Sequence, residues 1–142
     1  MEDDLADLGE ELGLGADLRW LGYVGDPALR WLYRNCFAFV YVPLSEGFGL
    51  PVLEAMALGA PVVASRGSGL EECAGNATLL VDPLDEDGIR GAIERMGQDA
   101  LRTQLRDRGL EHSRGFSWRD VGRRVLRIYH ETLEAPRLAS GR

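Results

Sequence analysis

Short apolar runs alternate with amphipathic stretches along the chain. Residues 3–13 place Leu5, Leu8 and Leu12 at helical spacing, which predicts a helix. Arg19-Trp20-Leu21, ending in Gly22, reads as a short strand. Asp26-Pro27 predicts a helix start with Asp26 as N-cap and Pro27 at the first helical position; Leu29, Leu32 and Tyr33 supply its apolar face. Phe37 to Val42 is an unbroken apolar run, the pattern of a strand buried on both faces. A loop and a helix from about Pro51 to Leu58 follow, closed by Gly59. Pro61 to Ala64 and Ala77 to Val81 read as two more buried strands, separated by a turn at Gly67 and Gly69 and a short helix over Leu70–Ala74. Asp85 caps a helix running to about Gly97, and Asp99–Ser113 reads as another. Ser117 caps the last helix, which carries Trp118, Val121, Val125, Tyr129 and Leu133 at helical spacing. From Pro136 onward the tail reads as frayed. Trp20, Trp31 and Trp118 are expected to anchor the core.

Buried strands alternating with helices imply right-handed βαβ crossovers. The expected class is α/β, a Rossmann-like parallel sheet with helices on both faces. The chain reads as one domain over residues 1–142: an acidic helix (1–16), β/α units (17–97), C-terminal helices (98–134) and the tail (135–142). Ligands in such folds sit beyond the carboxyl ends of the strands.

Composition narrows the classes. With 142 residues, 45% hydrophobic and 27% charged, the chain can bury a core, which argues against wholesale disorder. No apolar run reaches the ~18 residues that span a bilayer. The N-terminus is acidic where a signal peptide would be basic, so a cytoplasmic protein is expected. A net charge of −7 disfavours nucleic acid as a partner. Residues 2–17 hold seven acids and no Arg, whereas residues 102–127 hold eight Arg and three acids. That basic region reads either as a solvated face with local ion pairs or as a contact for a partner or the inner membrane face. Cys36 and Cys73 lack metal-ligand spacing and read as reduced packing residues. His112 and His130 have no catalytic partner at a telling spacing, so surface or core packing is expected.

The loop from Ser45 to Pro51 carries the candidate chemistry. Gly47 and Gly49 let the main chain turn tightly and approach a ligand. Pro51 at the first helical position makes Leu50 the expected N-cap, leaving the amides of Val52 and Leu53 unpartnered. Those of Gly47, Phe48, Gly49 and Leu50 add to them, and with the helix dipole they favour a phosphate. Glu46 and Glu54 bracket this anion site, and carboxylates accept well from sugar hydroxyls. A hexose, a diphosphate and a ribose in a row, a nucleotide diphosphate sugar, uses all three features. The plainer reading makes both acids partners of the helix dipole. Asp85-Glu86-Asp87 reads as a helix start rather than a metal-binding D-x-D. Gly67-Ser68-Gly69 reads as a turn or as a source of amides near a ligand. Gly47-x-Gly49 is no dinucleotide fingerprint, because Val52 stands where its third Gly belongs.

Glu46 and Glu54, with seven residues between them, match the E-x7-E signature of retaining GT-B glycosyltransferases. The stretch EGFGLPVLEAMALGAPVVAS closely resembles family 4, the "group 1" transferases. Leu21 to Val24, Leu32-Tyr33-Arg34, Leu70-Glu71-Glu72, Gly75-Asn76-Ala77, Leu79 to Pro83 and Phe116-Ser117-Trp118 extend the resemblance over about residues 17–134. It implies that Glu46 carries catalysis by holding donor-sugar hydroxyls. Gly47, Phe48, Gly49 and Leu50 would offer main-chain contacts to sugar and diphosphate, and Glu54 would hold the ribose. Glu72, at an acidic position of the family, reads as structural. The implied reaction is front-face displacement moving a hexose to a saccharide, lipid or small-molecule acceptor, without cofactor or metal. The family's first domain, and the two opening βα units with their diphosphate-gripping Arg and Lys, have no counterpart here; the chain has no Lys. The resemblance therefore implies a partial donor domain, inactive alone, which needs an N-terminal domain or another chain. The strand at Phe37 would lack a neighbour, a gap for the strand at Arg19 or another chain to close. Pro43 also stands one place later than in the family pattern. The alternative function is a non-catalytic nucleotide- or partner-binding module, or an inactive fragment of a transferase.

Overall fold

The computed structural model describes residues 2–67 and 69–134. Ser68, the side chain of Leu5 and the tail from Pro136 lie outside the described residues. Packing divides the chain into two units, one ending at Trp31 and the other starting at Leu32.

In the first unit α1 spans Glu2–Glu11, and a short 3-10 turn follows at Gly15–Asp17. Gly9 is buried, and a Cβ there would stand 2.5 Å from Leu18 Cδ2, so the glycine admits the leucine against α1. The expected strand at Arg19-Trp20-Leu21 does not form. No described strand pairs with those residues, so nothing satisfies their backbone as a ladder would. α2 (Asp26–Asn35) starts one residue earlier than expected. The Leu29 amide donates to Gly25 O at 3.0 Å, which puts Gly25 in the capping place and Pro27 second in the helix.

The second unit holds a three-stranded parallel sheet in the order β1 (Phe39–Tyr41), β2 (Val62–Ser65), β3 (Thr78–Val81). Phe39, Val40 and Tyr41 pair with Val62, Val63 and Ala64, and β2 pairs with β3 through Val62↔Thr78 to Ser65↔Val81. Side chains alternate between the two faces. On one face Val63 and Val81 pack with Ala92 of α5 (Glu86–Arg95), Met96 just after it and Leu105 of α6 (Asp99–Ser113). α3 (Leu50–Ala57) and α4 (Leu70–Ala74) also pack on β2 and bury Val52, Leu53, Met56, Leu70 and Cys73. This is the Rossmann-like α/β arrangement.

Three local signals act as expected. Gly59, at φ +82°, closes α3: its amide reaches Met56 O, and that of Ala60 reaches Ala55 O, both at 2.9 Å. Asp85 caps α5 by accepting from the Gly88 amide at 2.9 Å. Asp87 pairs with Arg90 on the same helix. Both acids of the D-x-D are thus used within the helix's first turns.

Two burial expectations are overturned. β1 is shorter than Phe37–Val42 and is not buried on both faces: Val40 and Phe37 are exposed, the latter under the Arg102 guanidinium 4.5 Å from its ring. Among the described residues β1 pairs with a strand on one side alone, which makes it an edge of the sheet. Trp20, Trp31 and Trp118 are 56%, 64% and 77% exposed, so they do not anchor the core. The apolar residues of α7 (Trp118–Glu134) share that fate, and none of its residues is buried. Helical spacing identifies an apolar face but not a surface to cover it. In the basic region Arg102, Arg114 and Arg123 pair with Asp99, Glu111 and Asp120 three residues before them, at 2.5, 2.6 and 3.1 Å, as a solvated face would. No helix among the described residues is long and apolar enough to cross a membrane.

Candidate functional site

The chain leaves the carboxyl end of β1 at Tyr41 and enters α3 at Leu50. The loop between them is tied down by residues distant in sequence. Ser65 Oγ, at the end of β2, donates to Pro43 O at 2.8 Å. The Gly69 amide donates to Glu46 O at 3.3 Å. Cys73 Sγ lies 3.5 Å from Gly49 O, and the rings of Phe48 and Phe116 meet edge-on at 6.1 Å. His112, between α4 and Phe116, shares a ring nitrogen contact of 2.7 Å with Cys73 O. His112 is thus a hydrogen-bonding partner of the carboxyl end of α4, a role its spacing did not signal.

Glu46 is held from two sides. The Tyr41 hydroxyl donates to Oε2 at 2.5 Å, and the Gly47 amide donates to Oε1 at 2.9 Å. The Tyr41 hydroxyl above all, with the Gly47 amide next, holds the Glu46 carboxyl below its usual range. The same bond pushes Tyr41 up. Tyr41 stacks on Phe39 (5.9 Å), which meets Tyr33 edge-on at 5.0 Å. Tyr33 is pushed up first by burial and then by the negative charge of Glu54. Glu54 itself is exposed on α3, opposite the helix's buried Val52, Leu53 and Met56. Glu46 is thus bonded to Tyr41, Tyr33 follows through Phe39, and the charge of Glu54 acts on Tyr33. Tyr33 and Tyr41 were not among the expected site residues; two tyrosines shortly before Glu46 were the available signal.

The anion site differs from expectation. Gly49, at φ +91°, is the N-cap of α3 in place of Leu50. Its carbonyl accepts from Val52 N at 3.0 Å and from Leu53 N at 3.3 Å, so both amides expected to be free are occupied. The cause is the one-residue shift of the helix start: Leu53 becomes the fourth helical residue and makes the first ordinary helical bond. The Gly47 amide, and with it Phe48's, serves the Glu46 carboxylate. The amides of Gly49, the cap, and of Leu50, the first residue of α3, are left without a partner among the described residues. The Gly67 amide is taken by Glu71 Oε1 at 3.0 Å and that of Gly69 by Glu46 O. Glu71, exposed like its neighbour Glu72, is the acid that accepts from Gly67.

Burial raises the Cys73 thiol to about 11, so at neutral pH it stays protonated and unreactive. Ellman's reagent at pH 8 is expected to leave Cys73 unlabelled in the folded chain and to label it in denaturant. Labelling before denaturation would show that α4 is not seated against Gly49.

The family model described as "Glycosyl transferases group 1" matches residues 1–112. The chain belongs to the group 1 glycosyl transferases. O-antigen chain mannosyltransferase B of Escherichia coli is 42% identical over 113 residues, which cover 79% of this chain and 30% of that protein. D-inositol 3-phosphate glycosyltransferase 1 of Catenulispora acidiphila is 34% identical over 138 residues, 95% of this chain and 33% of that one. This group 1 chain thus spans about a third of the length of these curated relatives, at 30% and 33%. Among solved structures, sucrose-phosphate synthase from Thermosynechococcus elongatus superposes with a TM-score of 0.82 at 30% identity, covering 93% of this chain and 34% of that chain. Anabaena HepE in complex with UDP-glucose also gives 0.82, at 22% identity, over 91% of this chain and 36% of that one, a likeness of fold. The sheet and helices described above are those of a GT-B glycosyltransferase.

Proposed function

We propose that this group 1 chain is the donor-binding part of a retaining glycosyltransferase. It holds a nucleotide diphosphate sugar while a hexose moves to a saccharide, lipid or small-molecule acceptor. Glu46 takes donor-sugar hydroxyls, Glu54 the ribose hydroxyls, and the loop Gly47–Leu50 approaches the diphosphate through the Gly49 and Leu50 amides. The observation that supports this reading is the hydrogen bond fixing Glu46 to Tyr41 at the carboxyl end of β1, with Glu54 exposed on the helix that follows the same loop. Catalysis rests on positioning and on stabilising charge at the departing diphosphate, and calls for no bound metal. Acceptor contacts come from an N-terminal domain or another chain. The polypeptide alone turns over no donor, and its place is the cytoplasm.

Titration of the chain with UDP-glucose, GDP-mannose and related nucleotide sugars, beside Glu54→Ala, tests this. Hydrogen bonds to a charged acceptor contribute about 1.5–3 kcal/mol. Glu54→Ala is therefore expected to weaken the preferred donor roughly tenfold to a hundredfold. A folded chain that binds none of them, or binds equally well without Glu54, overturns the reading in favour of a non-catalytic module.

A further inference from the structure

We propose that Tyr41 is a positioning residue of the donor site: its hydroxyl clamps Oε2 of Glu46 and aims the carboxylate at the donor sugar. The inference rests on the reading of Glu46 as a donor ligand and adds a residue that E-x7-E does not contain.

Glu46 sits on a loop, with a long side chain that has many rotamers to lose on binding. A ligand contact from a free side chain of that kind costs ordering free energy each time it forms; a contact already ordered does not. Tyr41 supplies the order. It is the last residue of β1, its backbone is paired to Ala64 of β2, and its ring is stacked on Phe39. The hydroxyl therefore comes from the rigid sheet rather than from the loop. The O–H···O separation of 2.5 Å is that of a charge-assisted bond to a carboxylate. An ionised carboxylate has about four acceptor positions. Tyr41 takes one on Oε2 and the Gly47 amide one on Oε1, with the Phe48 amide beside them, so the carboxylate keeps capacity for a sugar hydroxyl. The clamp orients Glu46 without using it up.

The clamp also sets a pH window. The titratable groups acting on Tyr41 are Glu46 and Tyr33, with Glu54 beyond Tyr33; Glu46 is acted on by Tyr41 and by the loop amides. Glu46 is lowered, so the bond is fully present above the ordinary carboxylate range and is lost as pH falls through the lowered value. Tyr41 is raised, so the bond is present below the ordinary phenol range and is lost as pH rises through the raised value.

The test uses Tyr41→Phe, which keeps the ring and its stacking, and Glu46→Gln. Carbon-detected NMR titration of the Glu46 carboxyl is expected to show its midpoint moving up in Tyr41→Phe. With UDP-glucose or GDP-mannose, whichever the unaltered chain prefers, the acid limb of donor affinity should move up with it. Affinity at pH 7 should fall about three- to tenfold. Glu46→Gln should remove the acid limb. An unmoved Glu46 midpoint in Tyr41→Phe overturns the clamp. A Glu46-dependent donor affinity that is the same in Tyr41→Phe at every pH overturns its role in positioning. Wild-type donor affinity in Glu46→Gln instead sinks the donor reading itself and this inference with it.

Discussion

Gly69→Ala is expected to unseat the loop from Glu46 to Leu50 and to abolish donor binding. A Cβ on residue 69 would stand 2.0 Å from Gly47 O, 2.8 Å from Gly47 C and 3.1 Å from Phe48 Cα. These are backbone atoms, so no rotamer change relieves the overlap. The loop or α4 must retreat by roughly 1.4 Å before ordinary contact is restored. Retreat costs the bond from the Gly69 amide to Glu46 O, and it shifts the Glu46 carboxylate away from Tyr41. Overpacking of this kind costs about 1–3 kcal/mol, and here it falls on the site itself. Thermal melting should drop by several degrees, and nucleotide-sugar titration should show no saturation. An alanine variant with unchanged melting and donor affinity would mean that the loop is not seated on Gly69.

Met56→Ala is expected to be the most destabilising single truncation on α3 while leaving its exposed face intact. Met56 is fully buried, and its Cγ would stand 3.2 Å from a Cβ on Gly109, so α6 crosses α3 at that glycine with no room to spare. Alanine leaves a void that the backbone of α6 cannot collapse into without breaking other contacts of the helix, such as the bond from Arg106 Nε to Gly59 O. The expected cost is about 2–5 kcal/mol, against a total of about 5–15 kcal/mol for an ordinary domain. The urea midpoint should fall steeply. Donor affinity of the folded fraction should stay near wild type, because Glu54 faces solvent on the other side of the helix. An unchanged urea midpoint would show that α6 does not pack on α3 as described.

The two predictions differ in how far the sequence alone could have led to them. The apolar pattern Val52-Leu53 and Ala55-Met56 around Glu54 already marks a buried face with one acid on the outside. Nothing near Gly69 in the sequence names Gly47 as its neighbour, since the contact joins α4 to a loop across an entire β/α unit.

What the amino-acid sequence determined was local. The bounds of α4 and α6, the stop at Gly59, the cap at Asp85 and the parallel class of the sheet follow from propensities and capping groups acting within a few residues. E-x7-E fixed which acids share a loop and helix. Tertiary structure decided what those signals meet. The start of α3 moved one residue because the left-handed conformation of Gly49 took the cap, which closed two amides and left others. Trp20, Trp31, Trp118 and α7 stayed exposed, because hydrophobicity states a preference for burial and not the presence of a covering surface. The tie of Tyr41 to Glu46, Gly69 against Gly47 and Phe116 beside Phe48 exist only once β1, α4 and the α6–α7 turn converge. Convergence of elements far apart in the chain is set by packing, which no local pattern encodes.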